Sequence, residues 1–410
     1  MRTFSIGAIT YAEDTPAFLA AIEKAYDTNI RPACRCTNTQ EGIACYIAKI
    51  EGSYIVKRMP ETGDKHAYTC VSHDPPSLIS GKAALIDRAI HEVEGNDEVR
   101  CDFAMKKTSG RAPPVTSGSP SEVVADPKRK LTILALLHFL WDKTELTHWR
   151  PFFSGKRYWS YVRAQLVEAA KTTIIKGEPL VSMVYIPAPY VDTEERKKEI
   201  QAEQNKVLAF LRTNKNSRMI LIGELKSIEK KTANTVLTLA HAGPKFSFLI
   251  ASDFAAKVQT RFSNALALAD TLNTNDRVNI KIIVIATFWL DSNGFKVIEE
   301  ISCMAVTASS QDKPAYIPVE NSYDADLITG LAMQKRSFKK ALRYNASKLQ
   351  MPVFGTLSDD GCNTALFIIP DDMPEDEHNQ VVKDANDEGI PLLIVEKTAL
   401  TNPKLPNKIG

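Results

Sequence analysis

Hydrophobic and polar residues alternate in short runs over most of the first hundred positions, and this pattern is typical of β-strands. β-branched and aromatic residues on either side of Glu51-Gly52 predict a hairpin over residues 44–60. The other predicted elements are, in chain order, a strand at Thr3–Ala12, a helix from Thr15 to Tyr26, a helix over 81–95 and a strand at Glu98–Met105. Together they predict an α+β module over residues 1–107.

A stretch rich in Pro, Ser, Gly and Thr over residues 108–127 predicts a linker, and the hydrophobic period then becomes helical. Apolar faces in LTILALLHFLWDKTEL and YWSYVRAQLVEAAKTTIIKG predict a helical block over residues 128–190. An antiparallel α+β domain is predicted over residues 191–310. Its elements are the helices Glu194–Arg212 and Asp253–Asp270 and the strands Arg218–Ile228, Thr235–Ala240, Phe246–Ile250, Ile280–Leu290 and Phe295–Val306.

The last block, residues 311–410, alternates helices and strands. A basic helix beginning near Tyr323 is predicted to precede a strand at Val353–Leu357, a strand TALFIIP, an acidic helix and a final strand LLIVEK. This order of helices and strands resembles that of nucleases of the restriction-endonuclease type. Those enzymes hold a divalent metal with carboxylates on two such strands. Neither strand carries a carboxylate here, so we expect a degenerate, inactive domain. The whole chain is thus predicted to be a multi-domain α+β protein.

Composition adds little to this picture. Of 410 residues, 44% are hydrophobic and 24% charged, which is typical of globular proteins, and the net charge is +2. The N-terminus lacks the pattern of a signal peptide, and no apolar run approaches the roughly 18 residues of a membrane span. We therefore expect a cytoplasmic protein without membrane contact. In that reducing compartment the seven cysteines favour metal ligation or burial over disulfides.

Four of these cysteines lie within 37 positions, namely Cys34, Cys36, Cys45 and Cys70. The pattern C-x-C, 29 residues, H-x-x-x-C predicts a zinc site at Cys34, Cys36, His66 and Cys70. The intervening hairpin can bring the two ligand pairs together, and four protein ligands leave no position for a reacting water. We therefore predict a structural Zn²⁺. Cys45 or His73 could replace one ligand, and ordinary buried cysteines beside an exposed His66 are the alternative.

The runs RPACRC and IACYIAKIEGSYIVKRMPETGDKHAYTCVSHDPP resemble the opening of a bacterial family of unknown function found on plasmids and integrative conjugative elements. Similar resemblance covers LLHFLWDKTELTHWRPFFSGKRYWSYV, the GEL strand near Glu224 and the KALRY segment near Arg343, and so extends over most of the chain. The resemblance supports the four zinc ligands position by position. It implies no established activity, but it implies a mobile-element context in which DNA handling is the leading expectation.

Two basic stretches carry the candidate nucleic-acid contacts. Residues 128–176 hold ten Lys or Arg against three acids, and they include Trp141, Trp149 and Trp159 with Phe152, Phe153, Tyr158 and Tyr161. Basic groups bind phosphates and aromatic faces stack on exposed bases. From this stretch we predict contacts by Arg150, Lys156, Arg157 and Arg163. The alternative is a tryptophan core beneath a solvated helix face.

The second basic stretch, between Leu327 and Ser358, has six Lys or Arg and no acid. The predicted contacts there are Lys335, Arg336, Lys339, Lys340 and Arg343. The eight acids of residues 371–388 suggest a simpler alternative, in which the two stretches pair within the chain.

Catalytic motifs are sparse. Glu224 and Lys226 form a Glu-x-Lys on a predicted strand, as in metal-dependent nucleases, but an upstream aspartate at suitable spacing is missing. Strand alternation would place both on one face, where a salt bridge is the ordinary interpretation. No P-loop, dinucleotide-binding or nucleophile-elbow motif is present, so no small-molecule cofactor is indicated.

These features favour a non-enzymatic accessory or regulatory protein of a mobile element that binds nucleic acid, DNA rather than RNA. A metal-dependent nuclease using Glu224 and Lys226 is one alternative. A scaffold that binds an acidic protein partner through the same basic faces is the other.

Overall fold

A computed structural model of the chain describes residues 2–13, 15–37, 39–50, 53–59, 62–70, 72–73, 76–93, 95–106, 130–231, 234–243, 245–274, 278–308, 314–346 and 353–409. Within these ranges the chain forms seven α-helices and twenty β-strands in four sheets. The fold is therefore α+β, as predicted. The linker predicted over residues 108–127 lies outside the described ranges.

The first sheet is antiparallel, in the order β2-β1-β3-β4-β5. Its strands are β1 (Thr3–Ile6), β2 (Ile9–Ala12), β3 (Ala33–Cys34), β4 (Ile43–Ile50) and β5 (Ser53–Arg58), and helix α1 (Pro16–Asp27) follows β2. A left-handed turn at Gly7 divides the single strand predicted at Thr3–Ala12. The predicted hairpin is confirmed as β4 and β5. The ring of Phe18 on α1 stacks on Phe4, which closes a small core over Cys34 and Cys70.

The second sheet, in the order β10-β9-β7-β6, joins distant parts of the chain. The elements of this region are β6 (Ile90–Val93), β7 (Asn96–Val99), helix α2 (Ile133–Lys143), β8 (His148–Trp149), helix α3 (Trp159–Lys171), β9 (Thr173–Ile175) and β10 (Glu178–Pro179). The helix predicted over 81–95 is wrong, because residues 81–89 form turns and β6 pairs with β7. That pairing buries Ile90 beside Val99, and burial overrides the local helical spacing.

The third sheet closes on itself. Its region contains β11 (Val184–Tyr185), α4 (Glu194–Thr213), β12 (Met219–Lys230), β13 (Thr235–Leu239), β14 (Phe248–Ile250), α5 (Ser252–Thr274), β15 (Ile280–Leu290) and β16 (Lys296–Thr307). The order β11-β12-β13-β14-β16-β15 is completed by pairing of β12 with β15, so that five strands form a ring. Alternate residues of β12 face opposite cores: Leu221 faces one core, while Ile220 and Ile222 face the other.

The fourth sheet has the order β20-β19-β18-β17-β8. Its region contains α6 (Ser322–Met333), β17 (Phe338–Lys340), β18 (Val353–Leu357), β19 (Ala365–Phe367), α7 (Glu375–Asp387) and β20 (Leu392–Ile394). The predicted basic helix is wrong, because α6 ends before the first lysine. Lys335 has a φ of 52°, a left-handed conformation that terminates the helix, and the basic residues continue along β17.

The sheets do not follow the predicted domain boundaries. β8, from the predicted helical block, forms an edge of the fourth sheet, and β9 pairs with β7 of the predicted N-terminal module. Helix α2 is buried on nearly all sides, and its core also contains Leu85, Ile285 and Tyr344. Hydrophobic packing therefore joins segments that composition separates. None of the helices in the described ranges has the length and apolar character needed to cross a bilayer.

Candidate metal centre and the adjoining cleft

Two loops at the end of the first sheet supply the predicted ligands. Cys34 ends β3, which is held between β1 and β4, and Cys36 follows two residues later. The chain returns through Gly42, where a side-chain carbon would lie 2.8 Å from the carbonyl oxygen of Cys34. Only glycine fits this approach at a φ of 72°. The second loop begins after a short 3₁₀ turn, Gly63–Lys65, and carries His66 and Cys70.

The four ligand atoms lie within 4.8 Å of one another. The sulfurs of Cys34 and Cys70 are 3.8 Å apart, and Nδ1 of His66 lies 3.3 Å from the sulfur of Cys36 and 3.7 Å from that of Cys70. Tetrahedral zinc with bonds of about 2.3 Å to sulfur and about 2.0 Å to nitrogen places sulfurs about 3.8 Å apart and sulfur about 3.6 Å from nitrogen. The donor set and its spacing therefore fit a metal ion of this kind.

Two main-chain donors at the cluster suit thiolates. The main-chain N–H of Ala67 donates to the sulfur of Cys36 at 3.4 Å, and that of Ser72 donates to Cys70 at 3.5 Å. A hydrogen bond from Cys34 lowers the pKa of the Cys70 thiol, so one thiolate is stabilised even before a metal binds. Cys34 and His66 are buried, which limits exchange of ligands with solvent. The Nε2 atom of His66 has no hydrogen-bond partner among the described residues.

Neither residue named as a substitute ligand joins the cluster. Cys45 is fully buried in the first sheet and its sulfur contacts the carbonyl oxygen of Ile43 at 3.5 Å. The ring of His73 packs against the edge of Tyr68, with 5.8 Å between the centroids. The closed group of four is thus Cys34, Cys36, His66 and Cys70.

The predicted nucleic-acid contacts of the first basic stretch divide into exposed and buried residues. Arg150 and Lys156 are exposed, and the Lys156 ammonium lies 3.4 Å from the centroid of Phe152. Arg163 is paired with Glu203 at 3.1 Å. Arg157 is 1% exposed and donates to the carbonyl oxygens of residues 146 and 148, so it cannot contact a ligand directly.

The aromatic residues of this stretch also divide. The tryptophans belong to the core, as the alternative interpretation held, with Trp141, Trp149 and Trp159 at most 3% exposed. Phe152 and Tyr158 are 69% and 52% exposed.

The second basic stretch divides in the same way. Lys335 and Lys339 are exposed. The other three form ion pairs: Arg336 with Asp359 at 2.6 Å, Lys340 with Asp324 at 3.5 Å, and Arg343 with Glu320. None of these acids comes from residues 371–388, so the internal pairing differs from the predicted alternative.

Pairing of β8 with β17 unites the two basic stretches, with His148 opposite Lys339 and Trp149 opposite Phe338. Arg150 and Lys339 consequently line one cleft of about 340 Å³. Its other wall is the candidate metal-binding loop, including Tyr68 and His73. Sequence reasoning missed His148, Ser358 and Asn363 as lining residues, because no local signal links segments so far apart in the chain.

Glu224 and Lys226, the weak catalytic candidates, do not face one another. Glu224 is 4% exposed and accepts hydrogen bonds from Lys281 at 2.8 Å and from the Tyr316 hydroxyl at 2.6 Å. Lys226 is exposed beside a register shift between Leu225 and Ser227, and this irregularity breaks the alternation that would have placed it with Glu224. Glu224 does form a salt bridge, as the ordinary interpretation held, but its partner is Lys281 on β15 and not Lys226.

The fold and site define an α+β protein with a Cys₃His cluster at metal-binding distances. The chain belongs to the family DUF1173, described as "protein of unknown function", whose profile matches residues 4–392. The resemblance to a family of unknown function is thereby confirmed for nearly the whole chain. No curated protein and no solved structure shows a significant match.

Proposed function

We propose that the chain binds single-stranded nucleic acid as a non-enzymatic accessory factor of mobile genetic elements in the cytoplasm. A structural zinc ion bound by Cys34, Cys36, His66 and Cys70 braces the fold beside the binding face. DNA is the preferred partner because of the mobile-element context that the family resemblance implies. A closed Cys₃His set leaves no open coordination position, which suits a structural ion.

The observation that carries this proposal is the antiparallel pairing of β8 with β17. It brings Arg150 and Lys339, from basic stretches that are distant in sequence, to one cleft edge. Exposed cations on neighbouring strands can contact successive phosphates of one strand and release its counterions.

Exposed aromatic rings that follow Arg150 closely in the chain favour a single strand over a duplex. Phe152 is 69% exposed, and the Lys156 ammonium lies against its ring. Tyr158 is 52% exposed. A base stacked on such a ring is stabilised by about 1–3 kcal/mol, and only unpaired bases offer a free face. The patch formed by Arg150, Phe152, Lys156 and Tyr158 is called the aromatic–basic patch below.

A nuclease is disfavoured by the same structure. Glu224 is already bonded to Lys281 and Tyr316, and Lys226 does not face it. Strands β18 and β19 read VFGTL and ALF, without a carboxylate to hold a divalent metal. The fourth sheet therefore supports a binding surface, consistent with a nuclease-like domain that has lost its metal ligands.

Fluorescence anisotropy with labelled single-stranded oligonucleotides tests the proposal. We expect binding that weakens steeply with salt, and a loss of roughly tenfold in Phe152→Ala. The matched control is Phe295→Ala, because Phe295 is 54% exposed in the turn between β15 and β16. No binding at low ionic strength, or an equal loss in both variants, would show that the proposal is wrong.

A further inference from the structure

We infer that the cleft between the metal-binding loop and the β8–β17 edge binds one phosphate group, held by Arg150, Lys339, His148 and Ser358. The inference rests on the proposed function where that phosphate is a phosphodiester of a bound strand. A free phosphate or nucleotide offers the same chemistry, and the experiment below separates the two sources.

The cleft has the size and the walls of a small ligand site. Its volume of about 340 Å³ lies at the lower end of the usual range for ligand pockets, roughly 300–1,000 Å³. Tyr68 and His73 form one side, and Arg150, Lys339 and Ser358 form the other. The first side is fixed by the metal ligands at residues 66 and 70, and the second by strand pairing, so both are preorganised.

Hydrogen-bond donors converge at one end of the cleft. The Nε2 atom of His148 lies 2.9 Å from the hydroxyl oxygen of Ser358, although 210 positions separate them. Lys339 is opposite His148 in the β8–β17 register, and Arg150 follows β8. The hydrogen-bonded pair of His148 and Ser358 keeps one proton to donate, and together with the two cations it is a suitable donor set for a phosphate oxyanion.

A buried cation stands behind these donors. Arg157 donates to the carbonyl oxygen of His148 and lies 4.3 Å from the centroid of Phe153. No carboxylate is within ion-pair distance of Arg157 among the residues that the structure describes. Arg157 therefore adds positive charge behind β8, which the nearby Glu145 offsets in part.

The pKa of the His148 imidazole reflects the positive charges around it. Burial, together with the charges of Arg150, Lys339 and Arg157, lowers the pKa of His148 to about 3. His148 is thus neutral at neutral pH. So weak a base does not favour activation of Ser358 as a nucleophile.

The cleft also contains two acids. Asp142 and Glu145 also line it. The Asp142 carboxylate accepts hydrogen bonds from the hydroxyls of Tyr344 at 2.8 Å and Thr147 at 3.1 Å, and lies 3.9 Å from the Lys339 ammonium.

Nuclear magnetic resonance of the ¹⁵N-histidine-labelled, metal-loaded chain tests the site with inorganic phosphate as the probe. The His148 ring signal is assigned from its absence in His148→Gln. At neutral pH and constant ionic strength, we expect a saturable shift with phosphate and none with chloride. Lys339→Met should weaken phosphate binding about tenfold. Lys335→Met is the matched control, since Lys335 is exposed on the same stretch but outside the cleft.

Parallel oligonucleotide titrations separate this inference from the proposed function. If no saturable shift occurs, or if Lys339→Met binds phosphate as wild type does, the inference is wrong, whether or not oligonucleotides bind at the aromatic–basic patch. If phosphate binds at His148 but no oligonucleotide binds, the site holds a free phosphate and the proposed function fails. If both bind and Lys339→Met weakens both, the phosphate is a backbone phosphodiester.

Discussion

Tyr68 and Asn363, 295 positions apart, exchange two hydrogen bonds. The Tyr68 hydroxyl donates to the carbonyl oxygen of Asn363 at 3.0 Å, and the Asn363 side-chain amide donates to the carbonyl oxygen of Tyr68 at 3.3 Å. Tyr68 lies between the ligands His66 and Cys70. Order in this loop is therefore coupled to the turn after β18, at the far side of the cleft.

Metal removal should loosen that turn. We expect a chelator to increase amide hydrogen exchange in residues 358–363 as well as in the ligand loops, because the hydrogen bonds of Tyr68 need an ordered loop. Tyr68→Phe should produce the same increase in the turn while it retains the metal, with a loss of stability of about 1 kcal/mol. Tyr11→Phe, in the first sheet, serves as the control. Unchanged exchange in residues 358–363 after metal removal would contradict the coupling.

Mutation of Arg157 should lower the stability of the fold, whereas mutation of Arg150 should affect oligonucleotide binding. Arg157→Met removes the donors to two buried carbonyl oxygens, so we expect a loss of roughly 3 kcal/mol in the free energy of unfolding. Arg150→Met should change stability by less than about 0.5 kcal/mol, because Arg150 is exposed. It should instead lower the salt slope of oligonucleotide binding by roughly one. Urea denaturation measures the free energy of unfolding, and salt titrations measure the salt slope of binding. Equal changes of both quantities in the two variants would contradict these roles.

The Glu224 carboxylate should stabilise the fold in a pH-dependent way. Burial by itself would raise the pKa of Glu224, but hydrogen bonds from His241, Lys281 and Tyr316 outweigh it and lower the pKa to about 2. The unfolded value is about 4.3, so the stabilisation is complete above that pH and is lost as pH falls through about 2. Its size is roughly 3 kcal/mol.

Comparison of wild type with Glu224→Gln isolates this contribution, because glutamine does not titrate. We expect the variant to be less stable at neutral pH, and the difference to shrink as the pH falls below about 4.3. Any acid-induced loss of metal affects both proteins alike. A difference that stays constant with pH would show that Glu224 is not held ionised by these partners.

Local patterns predicted much of this molecule. Helix α4 and strands β12, β13, β15 and β16 lie within a few residues of their predicted positions, because long runs with a clear period dominate their own structure. The ligand cluster was predictable for a different reason: two closely spaced pairs on either side of a hairpin have few ways to meet.

The features that depend on distant pairing could not be predicted. The joining of β8 to β17 buries Trp149 and Phe338 in one core, and nothing near His148 indicates Lys339 as its neighbour. Burial of Arg157 was equally hidden, since its partners are main-chain carbonyls that every residue carries. The helix predicted over residues 81–95 was wrong because strand pairing outside residues 81–89 determined the conformation of that segment.

Elemental analysis of the purified full chain tests the metal centre most directly. We expect one zinc per chain in wild type and in Cys45→Ser, because Cys45 is buried nearby but lies outside the cluster. Cys36→Ser should lose the zinc and lower the melting temperature. Zinc content in Cys36→Ser equal to that of wild type would contradict the account.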